Sequence, residues 1–162
     1  MKKIYRIIII CLILITGFSV NKVEASGKFE IEEDCGDVVL TKYKGTDKIV
    51  KVPEGVTLIN GAFKKNKHIR KIILPNTVKE IWAFSFYNLK NLRTIKLSKK
   101  LRRVESSAFI NCPKVKKIAI PKKCKYLEGG SIAGCYNLRT ITVKKGNKYF
   151  TVKNGALYTK NM

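Results

Sequence analysis

Lys71-Ile72-Ile73-Leu74-Pro75, Thr94-Ile95-Lys96-Leu97, Lys117-Ile118-Ala119-Ile120-Pro121 and Thr140-Ile141-Thr142-Val143 are one segment written four times. Its isoleucines, Ile72, Ile95, Ile118 and Ile141, recur every 23 residues, and Leu74, Leu97, Ile120 and Val143 keep step two positions later. Further apolar columns share the frame: Phe63, Phe86, Phe109 and Ile132; Ile69, Leu92, Val115 and Leu138; Ile81, Val104, Leu127 and Phe150. A fixed period of this length with several apolar columns marks a solenoid, because a single coil cannot bury its own apolar side and must stack on its neighbours.

Cutting on this period gives coils at 60–81, 82–104, 105–127 and 128–150. Alternation around each isoleucine predicts a short strand, stopped by Pro75 and Pro121 in two coils because proline cannot donate to a ladder. A second apolar pair, Val78 and Ile81 or Leu101 and Val104, covers the opposite side. Ala62-Phe63 and Ala108-Phe109 are expected to begin a helical turn. The expected fold is therefore an α/β solenoid, with a parallel sheet on one face and short strands and helical turns on the other.

Both ends depart from the period, as they must if the terminal coils are not to expose core. Two strands over 29–42 around Asp34-Cys35-Gly36-Asp37 predict a hairpin cap, and Val50, Val52, Val56 and Ile59 a half coil. Asn154-Gly155 between two apolar runs is a hairpin signal. Asn147 stands in an apolar column, where the regular core is expected to fade.

The first 25 residues read as an export signal: a basic start (Lys2, Lys3, Arg6), an apolar run over 7–20 and Val23-Glu24-Ala25 as the cleavage site. That run is broken by Thr16, Gly17 and Ser19 and falls short of the roughly 20 residues a membrane span needs. Removing 1–25 takes away Lys2, Lys3, Arg6, Lys22 and Glu24, and lowers the net charge from +23 to +20. The expected organisation is a signal peptide (1–25), cap and half coil (26–59), four repeats (60–150) and a closing hairpin (151–162), with no transmembrane segment after cleavage.

Cys35, Cys112, Cys124 and Cys135 remain after processing. Cys112 and Cys135 share a column, so they are expected to stack in the core. The strand spacing of about 4.8 Å also lies within the Cα separation that a disulfide accepts. Neither a paired-cysteine spacing nor a partner histidine points to zinc. Cofactor and metal are both read as none.

The pattern Ile-x-x-x-Ala-Phe-x-x-Asn/Cys-x-x-Leu/Ile-x-x-Ile-x-Leu/Ile-Pro over 59–75, repeated with one extra residue over 104–121, resembles the BspA-like class of leucine-rich repeat. Tyr43-Lys44-Gly45, Val52-Pro53 and Asn154-Gly155-Ala156-Leu157-Tyr158 resemble its flanking pieces, so the likeness spans 29–158. Trp82-Ala83-Phe84-Ser85-Phe86 departs from the pattern, with Ser85-Phe86 in frame. The resemblance implies an exported surface protein similar to adhesins, and it carries no shared catalytic residues.

The residues themselves offer little for catalysis. His68 is the one histidine and shares a column with Asn91, Lys114 and Asn137, as an exposed turn residue would; a triad needs a base held beside a nucleophile. Glu30, Glu32, Glu33, Asp34 and Asp37 crowd the cap without the spaced ligands of a calcium loop. No Gly-rich phosphate loop occurs. Leu74-Pro75-Asn76-Thr77-Val78 is one residue short of a wall-sorting signal and is read as a strand end.

The basic residues are the candidate binding site. Arg70, Arg93, Lys116 and Arg139 form one unbroken column, and Lys79, Arg102, Lys125 and Lys148 a second. Two charges about 4.8 Å apart repel in bulk water by a little under ~1 kcal/mol, less in salt. A polyanion laid along the column would turn that repulsion into binding by counterion release. The first column is expected near the start of the sheet strands and the second on the opposite side of the coil. Tyr87, Tyr126 and Tyr136 are the few aromatics outside core columns, too sparse for specific nucleic-acid recognition by stacking. The expectation is a secreted, extracellular or cell-surface, non-enzymatic binding module whose partner is a protein or an anionic polymer such as a glycosaminoglycan or teichoic acid. The alternative is an envelope protein retained on anionic wall polymers.

Overall fold

The computed structural model describes residues 27–160; the export signal expected over 1–25 lies outside them. The chain is a β-solenoid of about five turns of ~23 residues. It opens with an antiparallel hairpin, β1 (Phe29–Asp34) and β2 (Asp37–Tyr43), then β3 (Ile49–Lys51) and β4 (Leu58–Ile59) of a half coil. Each full coil adds two strands: β5 (Lys71–Ile73) and β6 (Glu80–Ile81), β7 (Thr94–Lys96) and β8 (Arg103–Val104), β9 (Lys117–Ile120) and β10 (Tyr126–Leu127). The last adds β11 (Thr140–Val143) before a second hairpin, β12 (Phe150–Lys153) and β13 (Ala156–Thr159). Both hairpins turn through two left-handed residues, Cys35-Gly36 and Asn154-Gly155, the backbone a tight hairpin of this hand requires.

The helical turns expected after Ala62 and Ala108 do not form; among the described residues there is no helix, so the α/β reading is corrected to an all-β solenoid. The reason is periodic. Gly61, Phe84, Ser107 and Gly130 have positive φ, and so do Lys65, Asn88, Asn111 and Gly134 four residues later in each coil. A left-handed residue ends a right-handed helix, so each coil has room for one turn only. Its N–H groups bond the next coil instead of continuing a helix, as in Phe63 N to Ser85 O (3.0 Å), Phe86 N to Ala108 O (2.9 Å) and Phe109 N to Ser131 O (2.7 Å).

The apolar columns are mostly buried in the middle coils and half-buried at Ile132, Leu138, Ile141 and Val143 of the last. Ile72, Ile81 and Ile69 are fully enclosed, each contributing roughly 2 kcal/mol by removal of apolar surface from water. Phe63, Phe86 and Phe109 stack through the coils with centroids 5.5 and 4.8 Å apart. Ser85 replaces alanine in its column and is buried, donating to Ile59 O (2.8 Å) or Trp82 O (2.6 Å). The regular core does fade over the last coil, at those four half-buried positions, but Asn147 itself stays inside. The side chain is buried, its amide donates to Pro121 O (2.8 Å) and Cys124 O (2.9 Å), and its oxygen accepts from Tyr149 and Phe150 N–H.

The sheet layout is also corrected. The longer sheet lies on the side of the short strands: six strands in the order β1-β2-β4-β6-β8-β10. The isoleucine strands form two shorter sheets, β3-β5-β7 and β9-β11, all parallel. Ile72 pairs with Ile95, and Ile118 with Ile141, but Ile95 and Ile118 belong to separate ladders.

Candidate functional site

The break between β7 and β9 has a local cause. Asn91 Nδ2 donates to Lys67 O (2.8 Å) just ahead of β7, and Asn137 Nδ2 to Pro113 O (2.7 Å) just ahead of β11. Asn66 does the same one coil earlier, to Gly45 O (3.0 Å). Each amide ties its coil to the carbonyl below and brings the following strands within pairing distance. Ahead of β9 that position is Lys114, whose ammonium donates to the side-chain Oδ1 of Asn91 in the coil below (2.7 Å). Lys114 thus grips a side chain of the coil below where the asparagines grip a backbone carbonyl, and there the ladder opens.

The first basic column runs along these strands. Arg93 N–H bonds Arg70 O (2.9 Å), and Arg139 N–H bonds Lys116 O (3.0 Å). Among the described residues, neither Lys116 nor Lys117 makes the corresponding bond to Arg93 O. The opening is a half-open depression of about 680 Å³ that gathers Arg93, Lys114, Lys116, Lys117 and Arg139. All five are exposed, and none enters an ion pair among the described residues. Arg70, the fourth member of the column, lies outside the depression.

The second column sits on the other side. Lys79, Arg102 and Lys125 immediately precede β6, β8 and β10, with unbroken backbone bonds from Arg102 N to Lys79 O (2.7 Å) and Lys125 N to Arg102 O (2.8 Å). The three carboxylates beyond Glu54 are Glu80, Glu105 and Glu128, all next to this column. Glu128 pairs with Arg103 at 3.0 Å, Glu105 accepts from Ala83 N–H (3.0 Å) and Glu80 from Trp82 Nε1 (3.2 Å). Lys125 lies 5.1 Å from the Tyr126 ring centre and 5.7 Å from that of Tyr149. Hydrogen bonding to Tyr126, then the field of Tyr126 and Tyr149, holds the Lys125 pKa above the usual lysine value. No member of either column enters an ion pair among the described residues, but the carboxylates lie beside the second column alone, where Lys125 also packs on aromatics. Sequence columns did not distinguish them, although the placement of the three glutamates carries the signal.

The chain matches the BspA type leucine rich repeat region in six copies across residues 45–161. It belongs to the BspA-type leucine-rich repeat family. No curated protein matches it. Among solved structures it is similar to a leucine-rich repeat protein from Bacteroides capillosus (22% identity, 74% of this chain and 96% of that one, TM-score 0.65). It is also similar to the T. pallidum leucine-rich repeat protein (18%, 74% and 71%, TM-score 0.61) and to a leucine-rich cell surface protein from Faecalibacterium prausnitzii (22%, 74% and 38%, TM-score 0.54). These identities establish a shared fold.

In this BspA-type solenoid the remaining polar features are structural. His68 is exposed, and its backbone N–H is held by Asn66 Oδ1 (2.9 Å). The acidic residues of β1 and its turn form no metal-ligating group, nor does any other cluster among the described residues. No helix of the described residues is long and apolar enough to cross a membrane. Cys112 and Cys135 are buried free thiols bonded to Phe86 O (3.0 Å) and Phe109 O (3.4 Å). Burial pushes the Cys112 thiol up to about 12 and Cys124 to about 11.

Proposed function

We propose that this BspA-type protein is a secreted, non-enzymatic binding module that works at or near a bacterial surface and engages its partner through the isoleucine-strand side of the solenoid. The observation that carries the reading is the bare cationic column Arg70, Arg93, Lys116 and Arg139 on a side from which every carboxylate beyond Glu54 is absent. Such a surface favours an anionic partner, through both steering and counterion release. The family and the similarity to a protein described as a cell surface protein support a role outside the cell. Capture of partners from host-surface and envelope extracts, repeated across salt concentrations, tests it. Recovery of a partner at low salt supports the reading, and no capture at any salt overturns it.

A second reading, structural retention on the cell's own anionic wall polymers, is favoured by the net charge of +23, or +20 after export. It predicts that cell-associated protein is released wholesale by high salt, whereas an adhesive contact to a protein partner survives it.

A further inference from the structure

The depression between β7 and β9 holds more than charge. On one side are cations from three successive coils: Arg93; Lys114, Lys116 and Lys117; and Arg139. Beside them are the N–H groups of Lys116 and Lys117, which lack the inter-coil acceptor that their equivalents Arg93 and Thr94 find in Arg70 O. The same opening leaves two acceptors without a donor: Arg93 O, and Asn137 Oδ1, whose amide nitrogen is spent on Pro113. Ile95 and Ala119 also line the depression.

This set discriminates among anions. Cations and N–H groups suit a terminal oxyanion, whose free oxygens accept from several directions at once. The two free acceptors favour a ligand that also carries several hydroxyl donors; inorganic sulfate has none, and a glycerol-phosphate diester has one free hydroxyl per unit against several on a sugar ring. A hydroxylated ring with a pendant sulfate carries both. The lining includes no aromatic side chain, so a nucleic-acid base finds no stacking partner there.

We infer that the opening between β7 and β9 is a binding site for a sulfated sugar of a polysaccharide. The sulfate is held by Lys116, Arg139 and the free N–H groups, while ring hydroxyls donate to Arg93 O and Asn137 Oδ1. This rests on the functional reading above, and it narrows that reading to one ligand class and one segment of the first column.

The test is calorimetric titration of the protein with a size-defined heparin oligosaccharide, its chemically desulfated counterpart, a glycerol-phosphate diester polymer and inorganic sulfate. The expected order is sulfated sugar first by at least about tenfold. The pair Lys116→Gln with Arg139→Gln should weaken it at least about tenfold and reduce the salt slope by about two. Lys125→Gln with Lys148→Gln should change affinity less than about threefold. Thermal melts verify that each variant is folded, and Lys116→Arg with Arg139→Lys, which keeps the charges, should retain binding if a fold-neutral loss is specific. Equal losses from both columns, or a diester polymer bound as tightly as the sulfated sugar, overturn the site. If the wild type binds no sulfated sugar yet still captures a partner from surface extracts, the inference fails and the functional reading stands. If it does neither, both fail.

Discussion

Asn147 occupies the column held by Val78, Leu101 and Cys124 in the coils before it, and there it closes the solenoid. Its four hydrogen bonds satisfy two carbonyls of the preceding coil and two N–H groups of the closing hairpin. Asn147→Leu keeps the branched shape and heavy-atom count and strands those groups, so it should lower stability by about 3 kcal/mol, measured by urea denaturation; a neutral result would show that water replaces the amide. The thiols give a second residue-scale outcome. Cys112→Ala should cost roughly 1 kcal/mol at neutral pH, and thiol titration of denatured, non-reduced protein should find all cysteines free. The Cys112 pKa, raised by burial to about 12 from an ordinary 9.0, fixes the sign with pH. The folded state favours the protonated thiol, so this contribution is complete below pH 9 and is lost as pH rises toward 12. The gap between wild type and Cys112→Ala should therefore close in alkali; a constant gap would place Cys112 outside the core.

At the scale of the strand, the isoleucine period gave the register of each pair that forms, Ile72 with Ile95 and Ile118 with Ile141, because a column of identical spacing leaves one register that turns its members inward. Two features were not legible in that period. The turns after Gly61 and Ser107 look helical from Ala62-Phe63 and Ala108-Phe109 alone; of the four positive-φ positions that open the turns, only Gly61 and Gly130 announce it by residue type, while Phe84 and Ser107 adopt it within their coil. The break between β7 and β9 hangs on one residue, Lys114, in a column otherwise filled by His68, Asn91 and Asn137, and composition gives it no weight. Lys114→Asn should restore the missing amide bond to the coil below and raise stability by about 1 kcal/mol; amide exchange of Lys116 and Lys117 should slow in parallel. Unchanged exchange would mean that the opening has another cause. Ile118 is buried within β9, and Ile118→Asp would place an unpaired carboxylate there, where burial of charge is heavily penalised. Loss of cooperative unfolding in circular dichroism is the expected result, whichever ladder Ile118 belongs to.

The whole molecule carries an excess of cations arranged in lines, and the acids of its described residues are confined to the cap, the half coil and the side of β6, β8 and β10. Such self-repulsion weakens the compact state and is screened over about 10 Å at 0.1 M salt. The melting temperature should therefore rise as sodium chloride increases from very low ionic strength, and rise less for the Lys116→Gln, Arg139→Gln pair; a melting point indifferent to salt would show that the lines are too well solvated to matter. The candidate site was half legible at this scale: the columns could be counted, but the difference between them depends on which glutamates fold beside which column. One consequence of the opened ladder is mechanical. Between the second and third full coils the six-stranded side stays bonded, through β6-β8-β10, while the isoleucine side does not. The turns also stay bonded there, through Phe86 N to Ala108 O and Asn88 N to Ile110 O, so a load applied at the ends of the solenoid should be taken up first on its one unsewn side, by the mouth of the opening widening or closing.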